Sequence, residues 1–160
     1  MDWTSQLGVL ISTATAMALG GAIGLERELK NRPAGFRTHM LVAGAAALLV
    51  GIGRLALEDP SIVEQMSDNL RFDPLRLVEA VIAGVAFIGA GAIFGKRGSI
   101  NGITTAASLL MVSVIGIAAG FNYYVLATAA TALTLLVLVA LKLIDRSLGR
   151  RRPEGEPPPE

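Results

Sequence analysis

The sequence predicts an all-α integral membrane protein built as a bundle of five transmembrane helices. Three observations predict it. Hydrophobic residues make up 52% of the chain and charged residues 17%, which is less charge than a water-soluble domain of this size carries. The charges fall in short intervals between long apolar runs. A helix needs about 20 mostly apolar residues to cross the hydrocarbon core, so the chain holds roughly five such segments.

The apolar runs set the predicted elements in order. The runs cover 7–25, 40–57, 77–94, 103–121 and 123–144. Each is continuous, lacks proline and shows no period-two alternation, which favours helices over the strands of a β-barrel. The N-terminus lacks the positive region of a cleavable signal peptide, so the first run is predicted to be a retained helix.

The longest connection, 58–76, is predicted to contain a short amphipathic helix on the outer membrane face. Asp59 followed by Pro60 is a typical helix start. Ile62, Met66 and Leu70 then recur at every fourth position, which would place them on one face. We predict a transmembrane domain over 1–145 and a disordered cytoplasmic tail over 146–160, whose proline- and glutamate-rich end cannot bury a core.

The distribution of lysine and arginine predicts the orientation. If the N-terminus is outside, the connections 26–39 and 96–102, the tail and Lys142 just before it carry eleven of these residues inside, against Arg54, Arg71 and Arg76 outside. This satisfies the positive-inside rule, and Trp3 and the Tyr123–Tyr124 pair then fall at the outer boundary. The predicted orientation is N-out and C-in.

The composition also restricts the chemistry. The chain has no cysteine, so disulfides, thiol catalysis and thiolate metal sites are excluded. A net charge of +1 gives no indication of a nucleic-acid partner. No nucleophile–base arrangement, phosphate-cradling loop or metal-spaced histidine cluster occurs. We therefore expect no enzyme activity and no cofactor.

Small residues spaced by four predict close helix packing. Helices in lipid associate through close backbone contact at such residues. The pattern favours packing within one chain over dimerisation, although a homo-oligomer stays open. The glycines predicted to pack are Gly20, Gly24, Gly84, Gly89, Gly91, Gly95, Gly116 and Gly120.

A first candidate site lies at the inner face, where acids and bases are compressed between two helices. Its residues are Glu26, Arg27, Glu28, Arg37 and Thr38. Ionisable groups at the membrane are functional candidates because burying them is costly. A partly buried Glu26–Arg37 ion pair, or a site for a cation or lipid phosphate, is one interpretation. The other is that the bases anchor the topology and the acids pair with them, with the following histidine, at position 39, at the interface.

Two further candidates are polar residues within the apolar runs. Glu79, about one turn into the third run, would bind or relay a cation, or else snorkel outwards or pair with Arg76. Asn101, Thr104 and Thr105 open the fourth run. They predict either a polar or anion site at a helix N-terminus, or ordinary capping and packing between helices.

Taken together, these segments resemble the MgtC/SapB family of membrane proteins. The resemblance rests on 24–28 (Gly-Leu-Glu-Arg-Glu), 32–42 (beginning Arg-Pro-Ala-Gly-Phe-Arg-Thr-His), the glycine-rich run 84–93 and 102–108. It implies a multi-pass protein of the bacterial inner membrane. The family includes virulence factors needed in macrophages and for growth at low magnesium. Its best-known member resembles a regulator that inhibits the F-type ATP synthase, which implies a membrane-protein partner.

The sequence departs from the family pattern in two respects. Larger members add a cytoplasmic C-terminal domain of the ACT type, whereas this chain ends after a short tail, so we expect no ligand sensing by such a domain. Some members carry Asn and Cys where this chain has Thr104 and Met111. A role that depends on those side chains is not expected here.

Three hypotheses for function follow. The first is a non-enzymatic regulator, linked to low-magnesium adaptation or virulence, that contacts a membrane-protein partner through its helices. The second is a small oligomeric transporter or channel for Mg²⁺, K⁺ or H⁺ that uses Glu26, Glu28 or Glu79. The third is the binding of an anionic lipid or another anion at the inner face.

Overall fold

The computed structural model describes residues 3–65, 73–96 and 99–147 as six helices and one small hairpin. Four of the helices are long and apolar enough to cross a membrane, namely α1, α2, α4 and α5. The apolar part of α6 is shorter, Tyr124–Ala140. The elements in chain order are α1 (Trp3–Leu29), α2 (Phe36–Glu58), α3 (Pro60–Gln65), α4 (Pro74–Ala92), β1 (Phe94–Lys96), β2 (Ser99–Asn101), α5 (Ile103–Gly120) and α6 (Tyr124–Ser147). The prediction of a helical membrane protein is confirmed.

The connection after α4 differs from the sequence prediction. The third helix, predicted to continue to 94, ends at Ala92, and Phe94 starts an antiparallel hairpin in which it faces Asn101. The chain then enters α5 through Gly102, whose φ is +91°. A Cβ at Gly102 would lie 1.9 Å from the Ala92 carbonyl oxygen, so only glycine permits this close return.

The connection 58–76 contains the short helix α3. The Asp59 carboxylate accepts hydrogen bonds from the Ser61 amide at 3.0 Å and the Ser61 hydroxyl at 2.6 Å. These bonds hold the pKa of Asp59 below its ordinary value. The predicted start of the helix at Asp59–Pro60 is therefore confirmed. Met66 and Leu70, which were to complete its apolar face, lie outside the described residues.

The centre of the bundle is formed by α1, α2 and α5, which contact one another. α4 packs mainly against α5, and α6 packs against α5 and α1. Two apolar clusters fill the interior. The first contains Ala16, Ile23, Ala43, Ala47, Val112, Ile115, Ala119 and Ala127, and the second Ala34, Ala46, Val50, Val81, Val85, Leu109 and Ile117.

Close approach of α2 to its neighbours depends on glycines. A Cβ at Gly116 of α5 would lie 2.3 Å from the Ala43 carbonyl oxygen. A Cβ at Gly20 of α1 would lie 2.7 Å from the His39 carbonyl oxygen. Both distances are too short for any side chain, so the helix backbones touch directly. Gly24 and Gly120 make similar contacts with the backbone of α2 or of the residue before it.

Three glycines that were predicted to pack do not do so in the described part of the chain. Gly84, Gly91 and Gly95 have no atom within 4 Å of the position that a Cβ would take. Gly95 lies in β1 rather than in a helix. Gly89, the fourth glycine of this region, makes ordinary contact with Ala106 at 3.4 Å. The internal packing of α4 therefore uses one face, and its other glycines are open.

We expect Gly116→Ala to destabilise the folded protein by about 1–3 kcal/mol, because the added methyl group forces α2 and α5 apart. Gly91→Ala is the matched control, since it adds the same group to a helix in open space and should be neutral or slightly stabilising. Thermal unfolding in detergent, followed by circular dichroism, measures both. Equal melting temperatures for the two variants would contradict this packing.

Candidate functional site

At the end of α1, the Glu26 carboxylate lies between two cations. Glu26 Oε2 lies 3.8 Å from Arg27 Nη1, and Glu26 Oε1 forms an ion pair with Lys30 Nζ. Lys30 Nζ also donates a hydrogen bond of 3.0 Å to the Leu138 carbonyl oxygen. Glu26 and Lys30 therefore connect the end of α1 to α6.

Arg27 is the most deeply buried charge among the described residues, with only 3% of its surface exposed. Its Nε and Nη2 atoms are enclosed and have no hydrogen-bond partner in the structure. Buried polar atoms are normally satisfied. Sequence reasoning included Arg27 only as one of several bases, because nothing in the spacing distinguishes a buried arginine from an exposed one.

Glu28 has a different role from its neighbour Glu26. Its Oε2 accepts a hydrogen bond of 2.7 Å from the Phe36 backbone amide. This satisfies one of the free N–H groups in the first turn of α2, whose N-cap residue, Gly35, has no side chain to do so. The connection turns at Asn31, whose φ is +53°, a conformation that asparagine tolerates better than most residues. Glu28 is therefore a capping residue for α2.

The Glu26–Arg37 ion pair considered from the sequence is not formed. Glu26 is paired with Lys30 and Arg27 instead. Arg37 is exposed and makes no ion pair with any described residue. Thr38, next to it, is half-buried.

His39 is fully buried between the helices, and its depth at the membrane interface stays a prediction. Its Nδ1 lies 2.8 Å from the Gly35 carbonyl oxygen and its Nε2 lies 3.0 Å from Ser108 Oγ on α5. Since a carbonyl only accepts, Nδ1 carries the proton, and the Nε2 of a neutral ring accepts from the Ser108 hydroxyl. That hydroxyl also lies 2.8 Å from the Thr105 carbonyl oxygen, an alternative acceptor. The ring therefore joins α2 to α5 inside the bundle.

The other predicted site residues lie apart from this cluster or along its border. Thr105 is buried, whereas Thr104 and Met111 line a cavity of about 350 Å³ between α5 and α6. Asn101 lies in β2, opposite Phe94. Glu79 is exposed on α4 and forms no ion pair with Arg76. No group of three or more His, Asp or Glu side chains suited to a metal ion occurs among the residues that the structure covers.

A polar network at the opposite end of α1 was not predicted. Ser12 Oγ lies 2.9 Å from Asn122 Oδ1 and 2.8 Å from the Tyr124 hydroxyl. Arg54 Nη1 donates to the Gly120 carbonyl oxygen at 3.0 Å, at the end of α5. The sequence signal was a buried serine in an apolar run together with asparagine in the short turn before α6. This network joins α1, α2, α5 and α6 at the end away from Arg27.

We expect Ser108→Ala to lower the free energy of unfolding by about 1–3 kcal/mol, because His39 Nε2 would lose its partner in a buried position. Thr128→Ala is the control: it removes an exposed hydroxyl that bonds only to its own helix and should change stability by less than about 0.5 kcal/mol. Chemical unfolding in detergent compares them. A Ser108→Ala variant as stable as Thr128→Ala would contradict the role of this bond.

Comparison with known proteins gives relatives over most of the chain. An uncharacterized protein of Haemophilus influenzae is 40% identical over 137 residues, which are 85% of this chain and 56% of that protein. The putative magnesium transporter YhiD of Escherichia coli K12 is 37% identical over 118 residues, 74% of this chain and 53% of its own length. Protein SapB of Bacillus subtilis is 34% identical over 95% of this chain and 64% of its own length.

These matches define the family. The chain spans about half the length of the first two of these relatives. No solved structure matches it. The sequence profile of the MgtC family matches residues 13–147, which run from the third turn of α1 to the end of α6 and therefore cover most of the helical bundle. The chain belongs to the MgtC family of membrane proteins.

Proposed function

We propose that this protein is a non-enzymatic regulator in the bacterial inner membrane, and that it contacts a partner membrane protein through α4. The observation that carries the proposal is the open face of α4. Gly84 and Gly91 have no atom within 4 Å of a Cβ position, and Phe87 between them is 82% exposed. Residues at these spacings share one side of a helix, and small residues let a second helix approach closely in lipid.

The interior of the bundle supports regulation over transport. The apolar clusters lie between the centre helices, and the buried polar pair His39–Ser108 among them is a local link between α2 and α5. The cavities that the structure describes contain neither Glu26 nor Glu79. A cation pathway needs polar groups along its length, since a charge in an apolar interior is costly. A regulator that acts by contact needs only an exposed surface that its partner can bind.

The alternative is a cation transporter. The name of the E. coli relative, a putative magnesium transporter, favours it, and Glu26, Glu28 and Glu79 would be the residues to carry it. For the regulator, the resemblance to the family suggests the F-type ATP synthase as the partner. We propose this partner for α4, with a second copy of the chain as the competing occupant of the same face.

We expect a photo-crosslinking amino acid at position 87 to capture a distinct membrane protein in native membranes, and Gly84→Leu to reduce that capture. No atom lies within 4 Å of the Cβ position at Gly84, which borders a groove between α4 and α2, so the added leucine has room beside α4 and is expected to block the approach of a partner helix. The control position is 125, where Val125 on α6 is 86% exposed. Mass spectrometry identifies the product, and ATP synthesis in inverted vesicles tests whether the partner is the ATP synthase.

Two results would contradict the regulator. Capture of this chain alone would assign the α4 face to a homo-oligomer. Flux of Mg²⁺, K⁺ or H⁺ in proteoliposomes that disappears in Glu26→Gln or Glu79→Gln would favour the transporter. The flux measurement uses the purified full chain, and the regulator predicts no flux above that of empty vesicles.

We also propose that the chain crosses the membrane five times, N-out and C-in, with α6 as the fifth span. The Lys30–Leu138 hydrogen bond brings the end of α1 beside the later part of α6, and the Ser12–Tyr124 contact joins their opposite ends. These contacts support α6 lying alongside α1 through the bilayer. Lysine and arginine concentrate at the end of α1, as expected for a cytoplasmic side.

Single cysteines test this topology directly, because the chain contains none. We expect Arg32→Cys to react with a membrane-impermeant maleimide only after the cells are opened. Tyr123→Cys, at a side chain that is 61% exposed, should react in intact cells. Labelling of position 32 in intact cells would reverse the orientation, and labelling of both positions from one side would contradict the three spans, α2, α4 and α5, that the proposal places between them.

A further inference from the structure

One edge of the buried Arg27 guanidinium, formed by Nε and Nη2, has no hydrogen-bond partner in the structure. Nε and Nη2 are the two guanidinium nitrogens whose N–H groups point side by side, and this fork matches the oxygens of a carboxylate or a phosphate. Both atoms are enclosed and lack a hydrogen-bond partner, as do the two carboxylate oxygens of Glu26, whereas Nη1, on the other edge, faces Glu26 at 3.8 Å. The edge suited to a bidentate anion is therefore the one without a partner.

The positive charges around Arg27 are not fully balanced by the carboxylates beside them. Glu26 is the only carboxylate that pairs with Arg27 and Lys30 in the described chain, so one negative charge serves two positive ones. The Glu28 carboxylate is engaged with the Phe36 amide, and Arg32 adds a further positive charge near Arg27. A buried charge without full compensation is costly. The cluster therefore favours binding a single additional anion.

An apolar groove begins beside this cluster. Lys30 Nζ binds the carbonyl oxygen of Leu138, and Leu138 also lines the 350 Å³ cavity between α5 and α6. The cavity is almost entirely apolar, with Thr104 and Ser108 near the start of α5 as its polar border. A cationic group next to an apolar groove is complementary to a lipid that has a negatively charged headgroup and an alkyl chain.

We propose that Arg27 and Lys30 form a binding site for an anionic phospholipid, with the phosphate on the free edge of Arg27 and an acyl chain in the groove between α5 and α6. Glu26 and Lys30, whose side chains are 11% and 21% exposed, are the groups that move to admit the phosphate. The Glu26 carboxylate then competes with the lipid for the same two cations. This site is separate from the partner surface on α4.

Because Glu26 and the lipid compete for the same cations, replacing Arg27 and replacing Glu26 should change lipid affinity in opposite directions. Removing the Arg27 charge in Arg27→Gln should weaken binding of phosphatidylglycerol by at least about tenfold, because the phosphate loses the bidentate pair of charge-assisted hydrogen bonds. Glu26→Gln should strengthen binding, because the internal competitor is removed. Arg76→Gln is the control, since Arg76 is exposed on α4 and its replacement changes the net charge equally. Native mass spectrometry of the full chain in detergent, titrated with phosphatidylglycerol or phosphatidylcholine, measures retention.

Several results would overturn the proposal. Retention of phosphatidylcholine equal to that of phosphatidylglycerol would remove the selectivity for an anionic lipid. Stabilisation of the protein by inorganic phosphate alone, without lipid retention, would assign the edge to a free anion. Weaker binding in Glu26→Gln would contradict competition even if Arg27→Gln does not fold, and an unchanged Lys30→Met variant would exclude Lys30.

Discussion

The direct contact of helix backbones around α2 is the constraint on which the rest of the structure depends. Lipid gives no hydrophobic drive for helix association, so dispersion contacts and a few hydrogen bonds must hold the bundle. The missing Cβ atoms of Gly20 and Gly116 bring α1 and α5 against carbonyl oxygens of α2. At that separation a histidine side chain on α2 reaches a hydroxyl on α5, and the His39–Ser108 bond becomes available. Close packing thus comes first and the buried polar link follows from it.

The charged residues at the end of α1 serve backbone groups as well as one another. Glu28 accepts from the first amide of α2, and Lys30 donates to a carbonyl oxygen of α6. Helix ends carry free amides and carbonyls that must find partners, and this need is greatest near the bilayer. The Glu28 carboxylate therefore closes the start of α2, whereas Lys30 binds a carbonyl oxygen within α6 and holds α6 beside the end of α1. Arg27 differs from them, since its guanidinium edge satisfies no backbone group.

The sequence predicted the positions of the helices better than the contacts between them. The long apolar runs of α1, α2 and α5 follow from length and hydropathy, which are local properties. The hairpin after α4 depends on the positive φ of Gly102 and its approach to Ala92, and no local pattern indicates that. Arg37 and His39 show a similar limit. Side chains two residues apart on a helix point in directions that differ by roughly 200° about the helix axis, so the rotation of α2 that buries His39 turns Arg37 outwards. This rotation is set by packing of α2 against α1 and α5.

For the same reason, the sequence predicted which glycines are spaced by four but not which of them pack inside the bundle and which lie on its surface. Spacing by four identifies a smooth stripe, but only the neighbouring helix decides whether the stripe is filled. Gly116 lies against α2, whereas Gly84 and Gly91 face open space on α4, the least buried of the long apolar helices. Because α4 contributes few buried residues, Val81, Val85 and Gly89, its outer face can change without affecting the contacts around α2. A surface whose sequence is free to vary independently of the core is what recognition of a particular partner requires.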